Sequence, residues 1–238
     1  MKGRPEQPLI NHFFELRKAA LKGVICIFLI TLILFPFANQ IYNFIAIPLI
    51  EKLPEGSNMI ATEVASPFFA PFKLTLCCAI FLSFPYILYQ AWSFIAPGLY
   101  INEKKLILPL LISSSFLFYL GILFSYFIVF PILFSFLTAT APDGIKIMTD
   151  INHYLNFILK LFFAFGISFE IPIATILLIR TNFISAEKLS SNRPYVIFFA
   201  FLVGMLLTPP DVISQILLAI PVWLLFEAGL IISKYFKI

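Results

Sequence analysis

Two carboxylates stand among basic residues in this chain, Glu15 in HFFELRK (12–18) and Glu103 in FIAPGLYINEK (94–104). A carboxylate accepts both hydrogen bonds of a guanidinium fork, so acids of this kind suit the capture of arginine side chains on a visiting peptide. Phe94 and Leu99, in the run that leads to Glu103, would hold the apolar part of that peptide. Simpler roles compete: Asn11 capping a helix whose N-terminal dipole favours Glu15, and Glu103 pairing with a neighbouring lysine. A third acid, Glu170 in GISFEIPIA, lies ten residues before Arg180 in an apolar run. That is about 15 Å along a helix, near the middle of a hydrocarbon core about 30 Å thick. At such depth a carboxyl group serves either as a protonated hydrogen-bonding residue or as a functional site. Glu227, in LLFEAGL, is expected to mark the inner end of a short last helix.

Enzyme chemistry has little to rest on. No HExxH, Gly-rich phosphate loop or GxSxG elbow occurs, and Cys26, Cys77 and Cys78 show no metal-ligand or CxxC spacing. Neither a catalytic residue, a metal nor a cofactor is expected. The formal charge of +4 does not require nucleic acid as a partner, because basic flanks are what orient a membrane protein.

The elements that must position these acids are apolar. Of the 238 residues, 61% are hydrophobic and only 12% charged, with 30 phenylalanines and a mean hydropathy of +1.00. Soluble domains sit near one quarter charged, so an all-α polytopic membrane protein is expected. Apolar runs place six transmembrane helices at roughly 24–44, 74–94, 106–136, 154–179, 195–208 and 212–232, within a single membrane domain over 1–238. Placing both termini in the cytoplasm puts 12 of the 16 Lys and Arg residues on that side, as the positive-inside rule demands. The Glu15 and Glu103 segments then face the cytoplasm. The connections 45–73 and 137–153 face outward and carry Pro48 among several prolines.

The last two helices are expected to be short. Val196 to Leu207 is 12 residues and Val212 to Phe226 is 15, about 18 and 22 Å of helix against a core of about 30 Å. Thr208-Pro209-Pro210-Asp211 makes the turn between them. Met205 and Thr208 share a face, with Gln215 just across the turn. They form either an outward polar-edged patch or an internal packing contact.

Four stretches in order, HFFELRK (12–18), FIAPGLYINEK (94–104), FEIP (169–172) and LLTPPDVISQ (206–215), resemble the TatC family of twin-arginine protein translocases. The resemblance implies a receptor in the bacterial cytoplasmic (inner) membrane that binds signal peptides bearing paired arginines. It also implies work in a hetero-oligomer with single-span TatA/TatB-type subunits, powered by the proton-motive force. On that basis Glu15, Arg17, Phe94, Leu99 and Glu103 form the signal-peptide site, and Glu170 is the polar residue of a concave membrane face. Met205, Leu206, Thr208 and Gln215 meet the partner subunits, while Pro48 and Asp211 belong to the outer face. The alternative from the residues alone is a proton-coupled small-molecule transporter that uses Glu170.

Overall fold

The computed structural model describes residues 9–50, 59–95, 107–140, 148–181, 183–207 and 212–235. The chain begins with α1 (Leu9–Leu34), a 3-10 turn (Phe35–Phe37), α2 (Ala38–Ile50), β1 (Met59–Ile60) and α3 (Ser66–Ile95). Then come α4 (Ile107–Phe124), a π-helical turn (Ser125–Val129), α5 (Phe130–Ala139) and β2 (Thr149–Asp150). The remainder is α6 (Ile151–Ser168), α7 (Ile171–Arg180), α8 (Ala186–Ser191), α9 (Arg193–Leu207) and α10 (Val212–Tyr235). Among the described residues the only strands form a two-residue parallel ladder pairing Met59 with Thr149 and Ile60 with Asp150.

Five helical stretches are long and apolar enough to cross a membrane: Phe13–Ile47, Ser66–Phe94, Leu108–Ala139, Ile151–Arg180 and Val212–Tyr235. Arg193–Leu207 is a shorter apolar helix. Large apolar side chains such as Phe28, Phe116, Phe127 and Leu206 stand exposed on these helices, which is tolerable in lipid and not in water. The protein is a multi-pass helical membrane protein. Hydroxyls within the helices donate to the preceding turn, as from Thr31 to Ile27 (2.8 Å), Thr75 to Pro71 (2.8 Å) and Thr175 to Ile171 (2.8 Å). Backbone carbonyls thus satisfy polar side chains where no water is available.

The contacts divide the chain into two compact units, Met1–Ile41 with Pro71–Ser115, and Tyr42–Ala70 with Phe116–Ile238. In the first, buried Gly23 on α1 faces Ile87 on α3, and Phe35 meets Phe72 edge to face at 6.0 Å. The first span is longer than the expected 24–44, because α1 continues unbroken through the exposed Arg17, Lys18 and Lys22. Pro36 lacks the N–H that would continue the α pattern, and the chain tightens there into the 3-10 turn.

In the second unit, buried Tyr154 on α6 donates its hydroxyl to the Ile45 carbonyl (2.9 Å), and Tyr126 in the π turn donates to Phe44 (2.9 Å). Phe130, Phe134 and Tyr154 form a ring cluster with centroids 4.5 to 5.8 Å apart. Helices α4 and α6 approach through small residues. A Cβ on Gly121 would lie 2.5 Å from the Phe165 carbonyl oxygen, and one on Gly166 would lie 2.7 Å from the Phe118 ring. Close backbone approach at glycine is how membrane helices gain dispersion contact when lipid removes the hydrophobic drive between them.

The final hairpin corrects one expectation. Helix α9 has 15 residues, about 22 Å, and is short as expected. Helix α10 does not end at Glu227; it continues to Tyr235, giving 24 residues or about 36 Å. The carboxylate is accommodated inside the helix because Arg193, at the start of α9, grips it with a two-pronged fork, Nε on Oε1 and Nη2 on Oε2 at 2.9 Å. Glu227 is 18% and Arg193 42% exposed. A paired carboxylate need not terminate an apolar helix.

Candidate functional site

Because α1 begins at Leu9, Asn11 lies inside the helix and not at its cap, and Glu15 stands beyond the first turn. The capping role is therefore ruled out as the reason for Glu15. Its face of α1 also carries Lys18 and Lys22, at i+3 and i+7. Opposite, α3 presents Gln90, Ser93 and Phe94, and the two helices enclose a cleft of about 210 Å³ lined by these six residues and Ala19. Gln90 is only 8% exposed, whereas Glu15, Lys18 and Lys22 are open to the surroundings. The cleft thus offers one carboxylate, two ammonium groups, an amide, a hydroxyl and an aromatic wall.

Among the sequence-expected residues, Glu15 and Phe94 meet in this cleft. Arg17 is exposed on α1 but does not line it. Leu99 and Glu103 lie outside the described residues. Gln90 and Ser93 are the additions. Their only sequence signal is a pair of neutral polar residues three apart, on one helix face, in the apolar run ILYQAWSF.

Glu170 occupies the break between α6 and α7. Pro172 follows within the first turn of α7, and the Glu170 N–H donates to Ile167 (3.0 Å), a tightened turn before the helix resumes with Ala174 donating to Glu170 (2.9 Å). The break is held against α10, where a Cβ on Gly229 would lie 2.9 Å from Pro172 Cα. Glu170 therefore sits at a kink and not in a regular helix.

On α9, Met205 and Leu206 are 53% and 65% exposed. Gln215 on α10 is partly buried, and its backbone packs near Gly204, whose Cβ would lie 3.4 Å from the Gln215 carbonyl. Packing thus accounts for the backbone of Gln215, while Met205 and Leu206 remain an outward face. Thr208 and Asp211 lie outside the described residues, as does the side chain of Pro48 on α2.

A polar knot that sequence reasoning missed surrounds Asp150. Its carboxylate accepts from the Thr62 hydroxyl (2.6 Å) and N–H (3.0 Å), and caps α6 by accepting from the N–H groups of Asn152 (2.8 Å) and His153 (3.1 Å). The Asn152 amide donates to Ser66 (2.6 Å). These donors, Thr62 foremost, lower the Asp150 pKa from 3.8 to about 2. Among the described residues, no group of three or more His, Cys, Asp or Glu side chains is placed to hold a metal ion.

Residues 11–221 match the family model described as Sec-independent protein translocase protein (TatC). The TatC protein of Haemophilus influenzae is 56% identical over 231 residues, covering 97% of this chain and 90% of the relative. That of Escherichia coli K12 is 56% identical over 230 residues, covering 97% and 89%. A crystal structure of a twin-arginine translocase receptor, TatC, superposes with a TM-score of 0.85 at 37% identity, covering 95% of this chain and 100% of that one. With its apolar spans, its kinked acid-bearing helix pair and its agreement in both sequence and fold, the chain belongs to the TatC family of Sec-independent protein translocase components.

Proposed function

We propose that this chain is the signal-peptide receptor of a Tat complex, and that the cleft between α1 and α3 receives the paired arginines of the signal peptide of a folded precursor. The observation that carries this reading is the meeting of Glu15 and Phe94, distant in sequence, in one cleft that also holds Gln90 and Ser93. Glu103 is taken as the second carboxylate, with Leu99 and Arg17 among the peptide-binding residues. Lys18 and Lys22 line the same cleft, so an incoming cation must bind Glu15 better than an ammonium would. A guanidinium fork meets that condition, since it forms two parallel hydrogen bonds where lysine offers a point charge. The structural neighbour's own description as a twin-arginine translocase receptor supports the same role.

In this reading both termini lie in the cytoplasm and the membrane is the bacterial inner membrane. Single-span TatA/TatB-type subunits dock on the exposed α9 face of Met205 and Leu206, with Thr208 and Gln215 as further contact residues, in a complex of several copies driven by the proton-motive force. Pro48 and Asp211 are assigned to the outer-face turns of this topology. Membership of a translocase family favours this role over proton-coupled transport of a small molecule. The test is capture of the full chain, in detergent or nanodiscs, on immobilised peptides that differ only in carrying Arg-Arg or Lys-Lys. Selective retention by Arg-Arg is expected; equal retention by both peptides would refute the proposal.

A further inference from the structure

Four cations gather where α7 and α10 end and α9 begins. Arg180 closes α7, Lys188 lies on α8, Arg193 opens α9 and Lys234 stands in the last turn of α10. Packing brings them to one place. Ile179, Leu189, Phe226 and Leu230 form a single buried cluster. Arg180 and Lys188 adjoin the first two in the chain, Glu227 in the grip of Arg193 adjoins the third, and Lys234 lies one turn beyond the fourth. Charge there is unbalanced. The Arg193 fork occupies both oxygens of Glu227, the Trp223 side chain donates to the same carboxylate, and Lys234 is near enough to act on it electrostatically. Glu187 on α8 is the other acid of these four helices. Among the described residues no carboxylate lies within ion-pair distance of Arg180, Lys188 or Lys234, and all three are exposed.

We propose that this cluster binds the phosphate headgroup of an anionic phospholipid, with Arg180, Lys188 and Lys234 as its cationic ligands and one face of α10 as the bed of an acyl chain. Position favours a lipid, because Arg180 and Tyr235 end two of the apolar spans and the cations therefore stand at a membrane boundary. Tyr195 and Tyr235, 66% and 87% exposed, flank them as aromatics do at the headgroup level. Charge complementarity names the headgroup, since three cations without an acid partner attract a phosphate at this depth. The helix below names the rest. Ile220, Leu224, Ile231 and Lys234, spaced i, i+4, i+11 and i+14, fall within one sector of α10. The three apolar members are each about half exposed. A soluble anion uses the cations alone, whereas a phospholipid uses the cations and the stripe beneath them. Arg193 and Glu227 are positioning residues: their fork fixes α9 against α10 and removes the acid that would otherwise compete for Lys234.

The test uses the full chain in detergent, with phosphatidylglycerol or neutral phosphatidylcholine added in mixed micelles and retained lipid read by native mass spectrometry. Phosphatidylglycerol is expected to be retained over phosphatidylcholine; equal retention would overturn the proposal. Each cation at a membrane surface contributes about fivefold to affinity for an anionic headgroup. Lys188→Gln and Lys234→Gln should therefore each weaken retention about fivefold, and the triple change with Arg180→Gln about a hundredfold. Wild-type retention in either single variant would overturn the proposal even if the triple variant failed to fold. Lys160→Gln removes one exposed cation from α6 and should change nothing; a loss equal to that of Lys234→Gln would mean that total charge, and not this cluster, holds the lipid. Phosphatidylglycerol should also raise the melting temperature. A rise with inorganic phosphate or an oligoglutamate peptide and none with phosphatidylglycerol would assign the cluster to a soluble anion or to an acidic protein, and would overturn the lipid site.

Discussion

Replacing glycines by alanine one at a time tests the packing of the second unit, because the structure ranks the outcomes. Within a helix alanine is favoured over glycine by about 1 kcal/mol, so every Gly→Ala change starts from a gain. At Gly121 the new Cβ would lie 2.5 Å from the Phe165 carbonyl oxygen and 2.9 Å from its carbon. Both are backbone atoms of a buried helix that cannot rotate aside, so α4 and α6 must separate. Overpacking of this kind costs about 1–3 kcal/mol, and the severity of this contact puts it near the top of that range. The net expectation for Gly121→Ala is a loss of about 2 kcal/mol. Gly229→Ala meets Pro172 Cα at 2.9 Å and should lose about 1 kcal/mol. Gly204→Ala meets nothing closer than 3.4 Å and should be neutral or stabilised by up to about 1 kcal/mol. Unfolding of detergent-solubilised protein with increasing SDS measures all three. A Gly121→Ala variant as stable as Gly204→Ala would refute the claim that glycine sets the approach of these helices.

Three further outcomes are expected. The folded state holds Asp150 in its charged form, so stability is full above the ordinary pKa of 3.8 and is lost as pH falls from there towards about 2; Asp150→Asn should flatten that acid limb in thermal melts, and Thr62→Val should shrink it. Arg193→Ala and Glu227→Ala should each lower the melting temperature, and the exchanged pair Arg193→Glu with Glu227→Arg should recover most of the loss, because the fork joining α9 to α10 reforms in reverse. In an export assay Glu170→Gln should retain more transport than Glu170→Leu, since a polar side chain at the kink suffices; equal and complete loss would point to obligatory ionisation.

Much of the architecture was legible because lipid imposes strong rules. Composition and span length marked a helical membrane protein, and the 12 apolar residues from Val196 to Leu207 correctly implied a short helix. The extent of α10 was not legible. A lone carboxylate in an apolar run reads as a boundary, and its partner Arg193 is 34 residues away, across a turn that brings the two together only in the fold. The break before α7, with its tightened turn at Phe169–Glu170, was not legible either, and the neighbouring Pro172 packs against Gly229, a residue far along the chain. At the candidate site, Glu15 and Phe94 were legible as types. Gln90 and Ser93 were not, because neutral residues acquire meaning only where two helices enclose a space. Asp150 was missed for a similar reason, since Thr62, its strongest donor, lies far back in the chain.

The central claim is that the Glu15 carboxylate grips an arginine of the signal peptide. The measurement that bears on it most directly is the dissociation constant of an Arg-Arg signal peptide for the wild-type chain and for Glu15→Ala, both in nanodiscs. A hydrogen bond to a charged group contributes about 1.5–3 kcal/mol, so the substitution should weaken binding by about tenfold or more. An unchanged dissociation constant for Glu15→Ala would contradict the account.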